Sequence, residues 1–361
     1  MEVNVNFKTL TLLSLTFLIS CGESDTKKKN SSSILQNISR EGSFKFSDFP
    51  LEGAIEEGEN LWSGDHWPMN KSSINFRWQT NERDFNQYQS PTLEELKLMS
   101  EAEIAMLSPS EKYDILRGDY NYSLFKHVGS KTNIIALAWE GIGDGWAAAT
   151  IFHSEPRPAT LTNPDNLVVS FGSSDVKALL SYYYSAFHTS AREQMGLRCN
   201  STQETAAEDS NCHEDLTAAQ FHLALAKVIG QSKQSIVMDI DRYEQVWNHP
   251  IISYNATIAS EGDPTENAPR GTVKTLGIKN KVSYLDRSYN HAWNTVKNTW
   301  NQVITNRVYT YQLHLNNRGD VIGSNWVSHD RPDFLWLPMR ANGFKGQLSE
   351  LGRILSHQEA E

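Results

Sequence analysis

Trp139-Glu-Gly-Ile-Gly-Asp-Gly-Trp146-Ala-Ala-Ala-Thr150, closing with Glu155-Pro-Arg-Pro158, is the stretch on which the fold turns. Three glycines between two tryptophans form a tight loop, and the small residues after it begin a helix. Upstream, Ile134-Ile-Ala-Leu-Ala138 is a short apolar run that predicts a buried strand. Strand, glycine turn and helix N-terminus together create a place where backbone N–H groups point at a ligand and the helix dipole favours negative charge. A thiolate in the first turn of such a helix has its pKa lowered, as thiol enzymes require. No cysteine stands there. The plainer alternative is a glycine-rich turn that lets two indoles pack over a core helix.

The chain of 361 residues can bury a large core. Its 39% hydrophobic and 21% charged content is that of a globular protein, and ten tryptophans suit a rigid, aromatic-rich extracytoplasmic fold. A formal charge of −10 argues against nucleic-acid binding, which draws its affinity from phosphate neutralisation. No zinc-type Cys/His spacing stands out, so neither a metal nor an organic cofactor is expected.

Residues 1–20 read as a lipoprotein signal peptide. Lys8 precedes the apolar run Leu10 to Ile19, which is too short to span a bilayer. Leu18-Ile-Ser-Cys21 has the form of a lipobox, so Cys21 is the expected lipidation site. Several acyl chains there would anchor the protein stably to a bacterial membrane. Gly22 rather than Asp after the cysteine leans toward the outer membrane. Residues 21–43, with Lys27-Lys-Lys-Asn-Ser-Ser-Ser33, are expected to be a solvated tether. Cys199 and Cys212 then remain as an even pair in an oxidising compartment, which predicts a disulfide worth about 3 kcal/mol in the chain-entropy model.

The main domain is expected over residues 44–345, with a polar tail at 346–361 carrying a surface helix. Trp62-Ser-Gly-Asp-His-Trp-Pro68 predicts a loop pinned by indoles. Helices are expected from Ser90-Pro-Thr92 and, with a Ser108-x-x-Glu111 capping box, from Leu107. Leu167–Phe171 reads as a strand, and Ser174-Asp175 caps a helix through Phe187. Strands are expected at Val282–Leu285 and Tyr309–Leu315, with a turn at Asn316–Asp320 and a return strand to Val327.

Signals conflict over residues 215–241. Thr217, an alanine-rich run and Gly230 read as a capped helix, whereas alternation across Phe221, Leu223 and Leu225 reads as a strand. A hairpin centred on Gly230-Gln231 would set His222 opposite Asp239, a carboxylate orienting an imidazole base. Asp241 is the alternative partner.

Trp62 to Pro68, Leu107 to Asp114, Trp139 to Ala149, Phe221-His222, Val246-Trp-Asn-His-Pro250 and Pro332-Asp-Phe-Leu-Trp336, in that order, resemble the transglutaminase elicitor family. Val246 to Pro250 is similar to the start of that family's elicitor peptide, with His249 where glutamine is usual. The resemblance implies an α+β fold, a papain-like or transglutaminase-like helical part packed on an antiparallel sheet. It also implies acyl transfer from protein glutamine to amines by a thiolate, a histidine base and an orienting acid. Gly143 stands where the family's cysteine is expected, with His222 and Asp239 as the other catalytic candidates and Trp139, Asp144 and Trp146 as binding candidates. Without a thiol no thioester forms, and the rate would drop by several orders of magnitude. Two functions therefore compete: a catalytically dead lipoprotein that binds peptide or envelope material, and an acyltransferase with another nucleophile.

Overall fold

The computed structural model describes residues 34–40, 43–56, 61–78, 89–188, 192–212, 216–288 and 302–358. The proposed signal segment and Cys21 lie outside them. In chain order the described elements are α1 (Ile34–Arg40), β1 (Phe44–Lys45), β2 (Glu52–Ala54), α2 (Leu93–Leu96), α3 (Glu101–Ala105), α4 (Pro109–Leu116), α5 (Ser123–Gly129) and α6 (Gly143–Phe152). They continue with β3 (Ala159–Thr162), β4 (Val168–Phe171), α7 (Ser173–Tyr182), β5 (Arg192–Met195), α8 (Ala218–Ala224), β6 (Val237–Asp239) and β7 (Asn248–Gly262). The last are β8 (Lys274–Asp286), β9 (Val303–Leu315), β10 (Asp320–Trp326), β11 (Leu335–Pro338) and α9 (Leu351–Ser356). The fold is α+β, as expected.

Nine strands form one sheet in the order β1-β10-β9-β8-β7-β6-β11-β5, with β2 on β7, and every pairing is antiparallel. Alternation puts Leu276, Ile278, Val282 and Tyr284 of β8 on one buried face, where Ile278 faces Tyr311 and Leu276 faces Leu313 across β9. That face packs under α8, while Ile258 and Val308 on the strands beside it stay exposed. The return from β9 to β10 turns at Asn316–Asp320, where Gly319 takes φ +80°, a left-handed conformation suited to glycine.

A second core gathers the helices around Trp62, Trp146, Tyr113 and Phe171. Ser108 caps α4 through the expected box with Glu111, and Thr92 and Ser100 cap α2 and α3 with Glu95 and Glu103 in the same way. Lys112 on α4 is wholly buried. Its Nζ lies 2.5 Å from Asp175 Oδ2 on α7 and donates to the Ala105 carbonyl at 2.8 Å, while Trp78 Nε1–H donates to Asp175 Oδ1 at 2.8 Å. Desolvation lowers the Lys112 pKa, and the facing carboxylate opposes that shift.

Four expectations change. Residues 134–138 form turns rather than a strand, and Ile134, Ile135 and Leu137 are exposed, so short apolar periodicity misled. The hairpin at 215–241 does not form: Thr217 caps α8 through a box with Gln220, and a π-helix continues it over Leu225–Gln231. Part of the expected tether is α1, which buries Leu35 and Ile38 against the α8 core. The expected polar tail carries α9, which buries Leu351 and Ile354 together with the preceding Leu348. Cys199 and Cys212 are bonded as expected.

Candidate functional site

Position 143 is the first residue of α6, and the loop before it is pinned by backbone bonds: Ile142 N–H donates to the His66 carbonyl at 2.7 Å and Met69 N–H to the Glu140 carbonyl at 2.8 Å. Trp146 anchors the helix from behind. It is fully buried in the helical core and donates from Nε1 to the Trp62 carbonyl at 3.1 Å. Trp62 N–H in turn donates to Thr150 Oγ1 at 2.6 Å, and its indole donates to the His153 carbonyl. Beneath Trp62, Lys177 and Glu155 form a buried pair at 2.5 Å that also reaches the Ser63 carbonyl.

The three glycines differ sharply. A Cβ at Gly141 would collide with the His66 carbonyl oxygen, and one at Gly145 with the Ser181 carbonyl oxygen. A Cβ at Gly143 would meet only His66 Cβ, at an ordinary 3.6 Å. Position 143 is therefore the one glycine of the loop that has room for a side chain.

Gly143 opens on a cavity of about 460 Å³, lined also by His66, Trp139, Asp144, Ser185, Trp247 and Arg287. That size lies in the range of small-ligand clefts. Trp139 and Asp144, two of the binding candidates, are thus part of this cavity's wall. Asp144 Oδ1 accepts from Ser185 Oγ at 2.9 Å. His66 is held on both ring nitrogens. Nε2 lies 2.9 Å from the Ala138 carbonyl, an acceptor only, so Nε2 carries the proton. Nδ1 lies 3.0 Å from both Arg287 Nη1 and Asp65 Oδ1. Arg287 also stacks on Trp247 at 3.8 Å.

His222 and Asp239 do not join this site. His222 lies inside α8 with Nδ1 at 2.7 Å from the Tyr311 hydroxyl and its ring stacked against Phe44 and Phe46. Desolvation pushes its pKa down to about 4. Asp239 is buried on β6, opposite Asn248 rather than His222, and accepts from the Trp247 and Asp241 amides. Burial holds its carboxyl well above the usual range. Asp241 lines a second cavity, of about 340 Å³.

That second cavity shares Trp247 and Arg287 with the first and contains a pair that sequence reasoning did not single out as catalytic, His249 and Asp286. They sit on the neighbouring strands β7 and β8. His249 Nδ1 donates to the Leu285 carbonyl at 2.9 Å and lies 3.6 Å from Asp286 Oδ1, which leaves Nε2 as the acceptor. The ring is edge-on to Trp146 of α6 at 6.0 Å. Desolvation pushes its pKa down to about 4, against the pull of Asp286. The one signal available was His249 standing where the elicitor peptide has glutamine.

Comparisons with known proteins follow from this architecture. A search of curated proteins finds no match. Among solved structures, the crystal structure of the GP42 transglutaminase from Phytophthora sojae aligns with a TM-score of 0.61 at 21% identity, covering 87% of this chain and 93% of that one. At that identity the likeness speaks for the fold. The family model described as transglutaminase elicitor matches residues 43–348, from β1 to the turn before α9 and across both cavities. The chain belongs to the transglutaminase elicitor family.

Proposed function

We propose that this chain is a non-catalytic member of its family, which holds a peptide in the cleft at the α6 N-terminus without forming a thioester. Gly143 carries the reading. It occupies the cleft-facing first residue of the helix, in the only glycine position of the loop with room for a side chain, and offers no nucleophile. The surroundings otherwise suit acyl transfer: a helix N-terminus and, in the adjoining cavity, an imidazole held by the Leu285 carbonyl with the Asp286 carboxylate 3.6 Å away. His249 and Asp286 are the better-placed base and orienter, in place of His222 and Asp239. Ser185 favours the alternative of a substitute nucleophile, since its hydroxyl lines the same cavity. It donates to Asp144 rather than to an imidazole, so it lacks the activating base that serine chemistry needs.

Incorporation of a fluorescent amine into a glutamine-rich acceptor protein tests this, with the full chain beside Gly143→Cys and Ser185→Ala variants. The native chain is expected to be silent. Turnover by it that Ser185→Ala abolishes would replace this reading with that of an enzyme using Ser185. Activity gained by Gly143→Cys would support the nucleophile as the missing part.

Lipid on Cys21 would tether the cleft to the bacterial cell envelope, at the outer membrane. Among the described residues no helix is long and apolar enough to cross a membrane. Metabolic labelling with an alkyne fatty acid tests the anchor; label that persists in Cys21→Ser would sink it.

A further inference from the structure

Three arginines line the cleft of a chain whose formal net charge is −10. Each lies over an indole: Arg287 over Trp247 at 3.8 Å, Arg192 over Trp336 at 5.3 Å and Arg198 over Trp139 at 5.9 Å. Arg287 is already engaged by His66 through Nη1, whereas Arg192 and Arg198, farther from their rings, keep N–H donors for another group. Among the described residues no ion pair joins Arg192 or Arg198 to a carboxylate. Arg198 donates to the Glu244 carbonyl at 3.2 Å, and both side chains are exposed. The first turn of α6 opens on the same space and adds partial positive charge. Two acids line it as well, Glu140 and Asp144, and Asp144 is already engaged by Ser185.

We propose, on the basis of the peptide-binding reading above, that the cleft selects an acidic peptide, with Glu or Asp carboxylates held by the edges of Arg192 and Arg198. A carboxylate presents two acceptor oxygens to a guanidinium fork, whereas a glutamine carboxamide has one acceptor and brings N–H donors toward donors. The apolar walls at Met69, Val246 and Phe334 suit the uncharged residues between the acids. Glu140 and Asp144 in the lining oppose a carboxylate, Asp144 with one oxygen already taken by Ser185, and the two guanidinium edges outweigh them.

Fluorescence anisotropy on the full chain tests this with two labelled, acetylated and amidated peptides, Ala-Leu-Glu-Gly-Glu-Leu-Ala and its twin with both Glu replaced by Gln. The Glu peptide is expected to bind about tenfold tighter or better at low salt, as charge-assisted bonds imply. That advantage should shrink with added NaCl and vanish in the Arg192→Gln/Arg198→Gln double variant, whose exposed positions leave the fold intact by circular dichroism. Equal or tighter binding of the Gln twin, or a Glu preference that survives in the double variant, would overturn acid selection while leaving the peptide cleft standing. Binding of neither peptide up to about 1 mM would sink the peptide reading itself, and the acid preference with it. Displacement of the Glu peptide by millimolar inorganic phosphate would reduce the site to a bare anion site and overturn the peptide as its ligand.

Discussion

A Cβ at position 143 meets only His66, whereas one at position 145 meets the Ser181 carbonyl of a packed helix. Gly145→Ala is therefore expected to cost about 1–3 kcal/mol through overpacking, while Gly143→Ala should change stability by no more than about 0.5 kcal/mol. Urea unfolding of both variants checks this, and equal losses would mean that the loop accommodates side chains indiscriminately. His222 makes a second prediction at this scale. Its folded pKa is pushed down to about 4 from 6.5 by desolvation, so between those values the unfolded chain binds a proton that the native chain does not. Stability from this group is complete above pH 6.5 and is lost as pH falls toward 4, by about 3 kcal/mol in full. Comparing urea midpoints at pH 7 and pH 4.5 for the native chain and His222→Gln isolates the effect. A native chain that loses no more than the variant would contradict it.

At the scale of elements, Leu107-Ser-Pro-Ser-Glu-Lys-Tyr-Asp114 was legible as a capped helix, but its role was not. Lys112 looks like a surface residue in sequence, yet the approach of α4 to α7 buries it on Asp175. Removing one partner of a buried pair leaves an uncompensated charge, so Lys112→Met is expected to cost about 3–5 kcal/mol. Adding Asp175→Asn should recover part of that loss, and a strictly additive double variant would show that the two are not coupled. The conflict at 215–241 was resolved at this scale too. The Thr217–Gln220 box satisfies the helix start, and a helix lets Phe221 and Leu225 bury against the sheet, where a hairpin would have needed partner strands on both edges.

For the whole molecule, α9 closes the helical core rather than trailing from it. Leu348, Leu351 and Ile354 are fully buried, and each such side chain contributes about 1.5–3 kcal/mol. Their sum rivals the whole stability of an ordinary domain, about 5–15 kcal/mol. A chain ending at residue 345 is therefore expected to be insoluble or molten, judged by near-UV circular dichroism and solubility. A truncated chain with native near-UV bands and an unchanged urea midpoint would show that α9 is dispensable.

The sequence by itself determined what is local: the Ser108–Glu111 capping box, the turn at Gly319, a helix after the glycine loop and the pairing of two cysteines. It also determined that position 143 carries no thiol, because a side chain that is absent from the sequence is absent from any fold. Only the tertiary structure decided which histidine faces which acid. His222 and Asp239 looked paired under one possible register, but that register never formed. His249 and Asp286 meet because β7 and β8 run side by side, a neighbourhood set by long-range strand pairing between residues far apart in the chain. Only the fold, too, gathered Arg192, Arg198 and Arg287 around one cleft, since charges scattered over about a hundred residues of sequence carry no local signal of their convergence.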